Sequence, residues 1–183
     1  MKTIIISDTH GSLAAWENVK KYIDSDTSCI IHAGDLYYFG PRNAAPENYQ
    51  PGKLADQFNS LKIPFICAKG NCDSEVDQMV SNFPLCEPFA FIFHNGLRLF
   101  ITHGHIFNKK QLIDISNQWD VDLIITGHTH IANIEKIGNS VFINPGSCAL
   151  AKNFPAIGLL YNTSVELYNL TNDSLVSKID LST

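Results

Sequence analysis

The sequence predicts an α/β protein in which helices cover parallel strands. Short apolar segments rich in β-branched residues alternate with helical patterns from residue 2 to residue 68, giving the order β-α-β-α-β. This alternation favours parallel pairing with helices on the faces of the sheet. After Gly127 the pattern changes to successive strands separated by short turn signals. A hydrophobic content of 45% and a charged content of 17% are typical of a compact globular protein.

The N-terminal part is predicted to hold three strands and two helices. Residues 2–7 are apolar and β-branched and predict a buried strand. Ser12 is a favourable N-cap for the helix that follows, whose apolar positions keep helical spacing as far as Ile23. The stretch 36–52 shows no periodic pattern, and loops of this length are usually functional or mobile. The other elements here are a strand, a helix and a strand, at residues 29–33, 53–61 and 64–68.

The rest of the chain is predicted to form a hairpin, one helix and a run of strands. Asn95-Gly96 is a strong hairpin turn signal between two apolar segments, 89–93 and 97–102. The helix is predicted at residues 109–118. The strands are predicted at residues 123–126, 131–137, 141–143, 157–161, 165–170 and 175–179. No linker or internal repeat divides the chain, so we expect residues 1–183 to form a single domain.

Composition argues against several classes of partner. The net charge of −5 does not favour a broad surface for extended nucleic acid. The five cysteines form no C-x-x-C pair, which favours a reduced compartment. The start of the chain shows no signal-peptide pattern, and no apolar run approaches the roughly 18 residues of a membrane span. We therefore expect a cytoplasmic protein without a membrane partner.

Five short motifs of metal-ligand residue types follow one another along the chain: D-T-H, G-D, G-N-C-D, H-G-H and G-H-T-H. Most of them follow a short apolar run, and ligands at the ends of neighbouring strands can converge because strands lie about 5 Å apart. One D-x-H or H-x-H motif is weak evidence, but five in this order favour a metal centre. Asp8 and His10 are two residues apart, so an extended segment would direct both to one ion.

This series resembles that of the calcineurin-like metallophosphoesterase superfamily, which has D-x-H, G-D, G-N-x-D/E, H-G-H and G-H-x-H. The resemblance extends from Asp8 to the turn at residues 144–147. Residues 70–77 and 40–43 are more specifically similar to small bacterial phosphodiesterases of the YfcE type. The resemblance implies a four-layer αββα sandwich, with two mixed β-sheets flanked by helices. It also implies manganese-dependent hydrolysis of small phosphodiesters.

The resemblance implies a site for two divalent ions that share one carboxylate. One ion would take Asp8, His10, Asp35 and His130, and the other would take Asp35, Asn71, His103 and His128. Oxygen and imidazole donors without a thiolate favour Mn²⁺, with Zn²⁺, Fe²⁺ and Ni²⁺ as alternatives. The expected reaction is in-line attack on phosphorus by a hydroxide bridging the two ions, with catalytic roles for Asp35 and Asn71.

Three further residues are candidates for contact with the substrate. Cys72 stands where many members of the superfamily carry a histidine thought to protonate the leaving oxygen. Because a thiol is a poorer donor to an alkoxide, we expect a preference for leaving groups that need little protonation, with His105 as a partial substitute. The alternative is that Cys72 only packs beside the site. Arg42 is a candidate phosphate contact beside Asn71, unless it is a solvated surface arginine.

Three functions remain open from the sequence. The leading one is a phosphodiesterase for small substrates, and the second is a phosphomonoesterase, which the sequence separates poorly from the first. The third is a non-catalytic scaffold, because the fold of the superfamily also serves as a protein-binding platform. All seven ligand positions are filled, which favours an enzyme. The resemblance further implies a homo-oligomer, a dimer or a tetramer.

Overall fold

The computed structural model describes residues 1–181 as two β-sheets packed face to face between helices. The elements in chain order are β1 (Lys2–Ile6), α1 (Leu13–Lys20), β2 (Thr27–His32), α2 (Pro51–Asn59), β3 (Phe65–Ala68), α3 (Glu75–Val80), β4 (Leu85–Cys86), β5 (Ala90–His94), β6 (Leu97–Ile101), α4 (Lys109–Gln118), β7 (Leu123–Ile125), β8 (Ala132–Ile137), β9 (Ser140–Pro145), β10 (Ala156–Leu160), β11 (Ser164–Asn169) and β12 (Ser174–Asp180). Among these residues no helix is long and apolar enough to span a bilayer.

Both sheets are mixed. The first has the strand order β12-β11-β10-β1-β2-β3-β4, in which β1 to β4 pair parallel and β10 to β12 pair antiparallel. The second has the order β5-β6-β7-β9-β8, in which β6, β7 and β9 are parallel and the two outer strands are antiparallel. The predicted site residues all follow parallel strands, namely β1, β2 and β3 in the first sheet and β6 and β7 in the second.

Apolar clusters lie between the layers. Strand alternation sends one set of side chains between the sheets, and that inner core includes Ile5, Ile31, Leu99, Ile125 and Ile143. The opposite set on the first sheet packs against α1 and α2, where the rings of Trp16 and Phe58 lie 4.9 Å apart. On the second sheet, Phe100, Ile124 and Phe142 pack against Leu112 of α4. The predicted αββα sandwich is confirmed.

Local signals predicted most elements, with two exceptions. The Asn95-Gly96 turn joins β5 and β6 with positive φ at both residues, the backbone of a tight hairpin turn. Ser12 caps α1 by accepting a hydrogen bond from the Ala15 N–H. Helix α3 and strand β4 were not predicted. Helix α3 spans six residues with none buried, and β4 spans two residues, so neither shows a periodic apolar pattern.

Candidate metal centre

Five predicted ligands meet where strands of the two sheets end. Asp8 Oδ1 lies 3.2 Å from His130 Nε2, 3.6 Å from His10 Nε2 and 4.0 Å from His103 Nε2. Asp35 Oδ2 lies 3.3 Å from His103 Nε2 and 3.9 Å from His10 Nε2. All five residues are buried. Two carboxylates and three imidazoles from four separate motifs thus face one small volume.

The other predicted residues surround this group at its open side. The half-buried ring of His128 lies 5.2 Å from that of His103 between centroids, and the exposed His105 ring lies 5.4 Å from the same ring. Asn71 is exposed, and its Nδ2 donates to Cys72 Sγ at 3.3 Å. The Cys72 N–H donates to Asp35 Oδ1 at 2.8 Å. The structure therefore brings all the site residues of the motif series into one neighbourhood.

The backbone conformation at these ligands differs from the one that the sequence predicted. We expected Asp8 and His10 to lie on an extended segment, and this is wrong: β1 ends at Ile6, and their φ angles are 54° and 47°. Left-handed backbone at such side chains is strained and is often found at functional sites. The same conformation recurs at three more predicted ligands, Asp35, His128 and His130, with φ of 59°, 68° and 59°.

Backbone carbonyls fix the orientation of three imidazole rings. In His10, His103 and His130, Nδ1 donates to a main-chain oxygen, which leaves Nε2 as the inward-facing atom. The acceptors are the carbonyls of Tyr38 at 2.8 Å, Ala33 at 2.7 Å and Leu150 at 2.8 Å. A metal-ligating histidine usually has its second nitrogen held in this way. The rings are therefore preset to offer Nε2 lone pairs to a cation.

The atoms at the centre fit a bound cation better than an empty space. Asp8 Oδ1 and His103 Nε2 are buried and have no hydrogen-bond partner among residues 1–181. Such unpaired buried groups are costly unless something else satisfies them. His10 Nε2 and His130 Nε2 lie 3.0 Å apart, so their lone pairs face each other when both rings are neutral. The donor set of carboxylate oxygen and imidazole nitrogen suits divalent transition ions.

The electrostatics of the group also attract cations. Burial raises the pKa of Asp8, but interactions with His10, His130 and His103 outweigh it and hold that pKa well below its usual range. Burial likewise raises the pKa of Asp35, and His103 outweighs it, so the pKa of Asp35 is lowered. Burial lowers the pKa of His103, but Asp35 and Asp8 raise it to about 9. Both carboxylates are therefore charged at neutral pH.

Asp73 is a positioning residue to which the sequence analysis gave no role. Its buried carboxylate accepts N–H groups from Asp35 at 2.8 Å, Leu36 at 2.7 Å and Gly70 at 2.7 Å. Burial, with a contribution from Asp35, raises its pKa to about 6. Asp73 thereby joins the loops after β2 and β3. A short-range signal existed, since aspartate often bonds nearby backbone N–H groups in turns.

His32 is buried beneath the centre and is held neutral. Its Nδ1 accepts the Gly34 N–H at 3.1 Å, so its Nε2 donates to Thr9 Oγ1 at 2.9 Å. Burial lowers its pKa to about 3. The unfolded chain binds a proton at this group near pH 6.5, whereas the folded chain does not.

We expect His32 to make the fold sensitive to acid. Above about pH 6.5 the proton binding of His32 does not affect the free energy of unfolding. On acidification to about pH 4.5 that free energy falls by about 3 kcal/mol, because only the unfolded state takes up the proton. Urea unfolding of the wild type and of His32→Gln across this range measures the difference. Equal pH slopes for the two proteins would contradict the role.

A cavity of about 640 Å³ opens over the candidate centre. Its walls come from four loops, and the lining includes Asp35, Arg42, Asn71, Cys72, His128, His130 and Lys152. Arg42 therefore lies where the sequence analysis expected it, while Lys152 was missed. The Lys152 N–H donates to the His130 carbonyl at 2.9 Å, which sets this lysine beside the centre. Neither basic side chain has an acidic partner among residues 1–181, so both remain available to an anion.

Fold and site together define a class, the phosphoesterases built as an αββα sandwich with oxygen and imidazole donors at the strand ends. The chain belongs to the calcineurin-like phosphoesterase superfamily, whose domain profile matches residues 1–163. The resemblance seen in the motifs is thereby confirmed.

The comparisons with individual proteins agree with this membership. Phosphodiesterase YfcE of Escherichia coli is 37% identical over 182 residues, which cover 98% of this chain and 97% of YfcE. A structure of YfcE, described as a phosphoesterase, matches with a TM-score of 0.88 and 34% identity over 100% of both chains. Phosphodiesterase MJ0936 of Methanocaldococcus jannaschii is 29% identical over 171 residues, 87% of this chain and 92% of MJ0936. A variant of Vps29 from Entamoeba histolytica shares the fold, with a TM-score of 0.72 and 20% identity over 100% of both chains.

Proposed function

We propose that this protein is a metal-dependent phosphodiesterase that hydrolyses small phosphodiesters. The observation that carries the proposal is the convergence of two charged carboxylates and three oriented Nε2 atoms. Two atoms of this group, Asp8 Oδ1 and His103 Nε2, are buried without a hydrogen-bond partner among residues 1–181. Relatives named phosphodiesterase support the choice of reaction. We further propose that the chain forms a single domain, that the protein is a cytoplasmic homo-oligomer, and that it uses Mn²⁺.

The proposed ligands are those of the motif series. Asp8, His10, Asp35 and His130 would hold one ion, and Asp35, Asn71, His103 and His128 would hold the other. Two divalent ions would supply Lewis acidity, lowering the pKa of a water molecule and neutralising charge on phosphoryl oxygens. The fixed Nδ1 hydrogen bonds of the rings keep the donor atoms in place, so little reorganisation is needed when substrate binds.

Residues of the cavity wall perform the binding steps. Arg42 and Lys152 face the cavity from different loops and attract an anionic substrate into it. Asn71 lines the same cavity as Asp35, and its neutral amide suits a phosphoryl oxygen. Buried surroundings and the nearby Asp35 raise the pKa of Cys72 to about 12, so its thiol stays protonated and uncharged beside the leaving group.

Arg42→Ala is expected to raise KM for a phosphodiester about tenfold while kcat changes little, because a guanidinium that contacts the phosphate in ground and transition state adds binding alone. Arg98→Ala is a matched control, since this only other arginine pairs with Asp120 and Asp122 away from the cavity. Steady-state kinetics of the wild type, Arg42→Ala and Arg98→Ala give the kcat and KM values to compare. An unaltered KM in Arg42→Ala counts against the role.

Cys72→His tests the preference for leaving groups. An imidazole at this position supplies a proton donor near neutral pKa, so we expect hydrolysis of diesters with alkyl leaving groups to rise about tenfold or more. Diesters with 4-nitrophenolate as leaving group need little protonation and should change much less. Parallel rate measurements on both kinds of diester suffice. Unchanged rates on both would show that Cys72 only packs beside the site.

The runner-up is a phosphomonoesterase, and one kinetic comparison separates it from the proposal. The purified protein is assayed on 4-nitrophenyl phosphate and on bis(4-nitrophenyl) phosphate with the same divalent ion. The proposal requires the higher kcat/KM on the diester. A higher value on the monoester moves the assignment to a phosphatase, and turnover of neither substrate favours the protein-binding scaffold.

A further inference from the structure

A second cavity, of about 380 Å³, adjoins the cavity over the candidate centre. It lies between α4 and the edge strand β8, and residues of both elements line it. Thr129 and Ile131 line both cavities, whereas His128 and His130 line the first and Gly127 lines the second. The segment 127–131 is therefore a wall that the two cavities share, with the candidate ligands on one of its sides.

The lining of this second cavity combines apolar side chains with neutral polar ones and carries no net charge. We call it the apolar groove after the apolar side chains in its lining, Phe107, Leu112, Ile131 and Phe142. Its two charged residues, Lys109 and Glu135, pair with each other at 2.9 Å. The first cavity differs, because both of its basic residues lack an acidic partner among residues 1–181. The pair of cavities thus suits a molecule with an anionic part and an uncharged apolar part.

Thr129, a polar residue in the shared wall, indicates which kind of ligand the groove binds. Thr129 Oγ1 accepts hydrogen bonds from Asn144 Nδ2 at 3.1 Å and from the Ile131 N–H at 3.2 Å. Its own O–H has no acceptor among the residues that the structure describes, so it can donate to a ligand. Apolar side chains along the groove, with a free hydroxyl donor where it meets the first cavity, are well matched to a flat ring that carries an ester oxygen.

We infer that the apolar groove binds an uncharged, ring-containing arm of the phosphodiester while the phosphate lies over the candidate centre. This inference rests on the proposed function and names the class of substrate: diesters with at least one aromatic arm. The ring packs against Phe107 and Ile131, and Thr129 donates to the oxygen that joins ring and phosphorus. Ile131 then acts as a specificity residue, because it borders both the phosphate and the ring.

Inhibition by two matched diesters tests the inference on the metal-loaded enzyme. Diphenyl phosphate and diethyl phosphate have poor leaving groups, so their inhibition constants against 4-nitrophenyl methyl phosphate report binding. We expect the phenyl compound to bind about tenfold more tightly, and Ile131→Glu to lower this ratio to about 1. The matched control is Leu175→Glu on β12, since Leu175 is 49% exposed and Ile131 is 47% exposed. The control should keep the wild-type ratio, and a ratio that Ile131→Glu leaves unchanged overturns the inference.

A second readout does not depend on turnover. In protein labelled at isoleucine methyl groups, diphenyl phosphate should shift the resonances of Ile131 and leave those of Ile4, under α1, in place. Absence of a shift at Ile131 overturns the inference. If the wild type hydrolyses no diester, the proposed function fails, and the methyl shifts decide by themselves whether the groove binds aromatic rings.

Discussion

Asp35→Asn is expected to reduce phosphodiester hydrolysis by about 10³-fold or more, the largest effect of any single substitution considered. Asp35 is the carboxylate that both proposed ion sites share, and its Oδ2 faces His103 Nε2 at 3.3 Å and His10 Nε2 at 3.9 Å. The amide keeps the shape and can still accept the Cys72 N–H, but it removes one negative charge from a buried site. The loss of charge weakens ion binding and the stabilisation of the transition state together.

Two measurements separate loss of the centre from loss of the fold. The free energy of unfolding of the metal-free variant should match that of the wild type to about 1 kcal/mol, whereas bound metal per chain should fall. Asp56→Asn, an exposed aspartate on α2, is the matched control and should retain wild-type rates. Substantial activity in Asp35→Asn would show that this carboxylate is not a shared ligand.

Gly127→Ala is expected to lower activity about 10²-fold and to destabilise the fold by about 1–3 kcal/mol, the second largest effect. A Cβ at Gly127 would lie 2.7 Å from Asp8 Oδ2 and nearer still to Ser7 Oγ. Asp8 Oδ2 accepts the His128 N–H at 3.0 Å and the Ser7 hydroxyl at 2.5 Å, so the methyl group displaces the carboxylate from its anchors. The neighbouring Oδ1, which faces three imidazoles, moves with it.

Gly52→Ala is the matched control for this substitution. A Cβ at Gly52 meets no atom within 4 Å, and the residue lies in α2. Alanine there should leave activity intact and stabilise the fold by up to about 1 kcal/mol, since it reduces the freedom of the unfolded chain. Thermal unfolding and hydrolysis rates of both variants make the comparison. Wild-type activity in Gly127→Ala would contradict the close approach of the two loops.

Features encoded by neighbouring residues were predictable from the sequence. Ser12 and Asn95-Gly96 marked a helix start and a hairpin because capping and turn geometry depend on a few adjacent residues. The motif series located the candidate centre because most of the motifs directly follow an apolar segment, and such a segment predicts where a strand ends. The alternation of strands and helices indicated the α/β class, and the layer arrangement came from the resemblance of the motifs.

Features that depend on distant contacts were not predictable in this way. Asp73 accepts the N–H of Asp35, 38 residues away, and a local pattern indicates only its bond to the nearby Gly70 N–H. Lys152 reaches the cavity because its loop bonds to His130 across the fold. The left-handed backbone at Asp8 and His10 also escaped prediction, because tertiary packing and not local preference holds such residues in place.

The most direct test is a titration of metal-stripped protein with Mn²⁺, followed by calorimetry and by hydrolysis of bis(4-nitrophenyl) phosphate in the same samples. The predicted result is binding of two ions per chain and diester cleavage that rises with occupancy, both weakened in Asp35→Asn. Cleavage at full rate in the stripped protein, or two bound ions without cleavage of either monoester or diester, would contradict a two-metal phosphodiesterase centre.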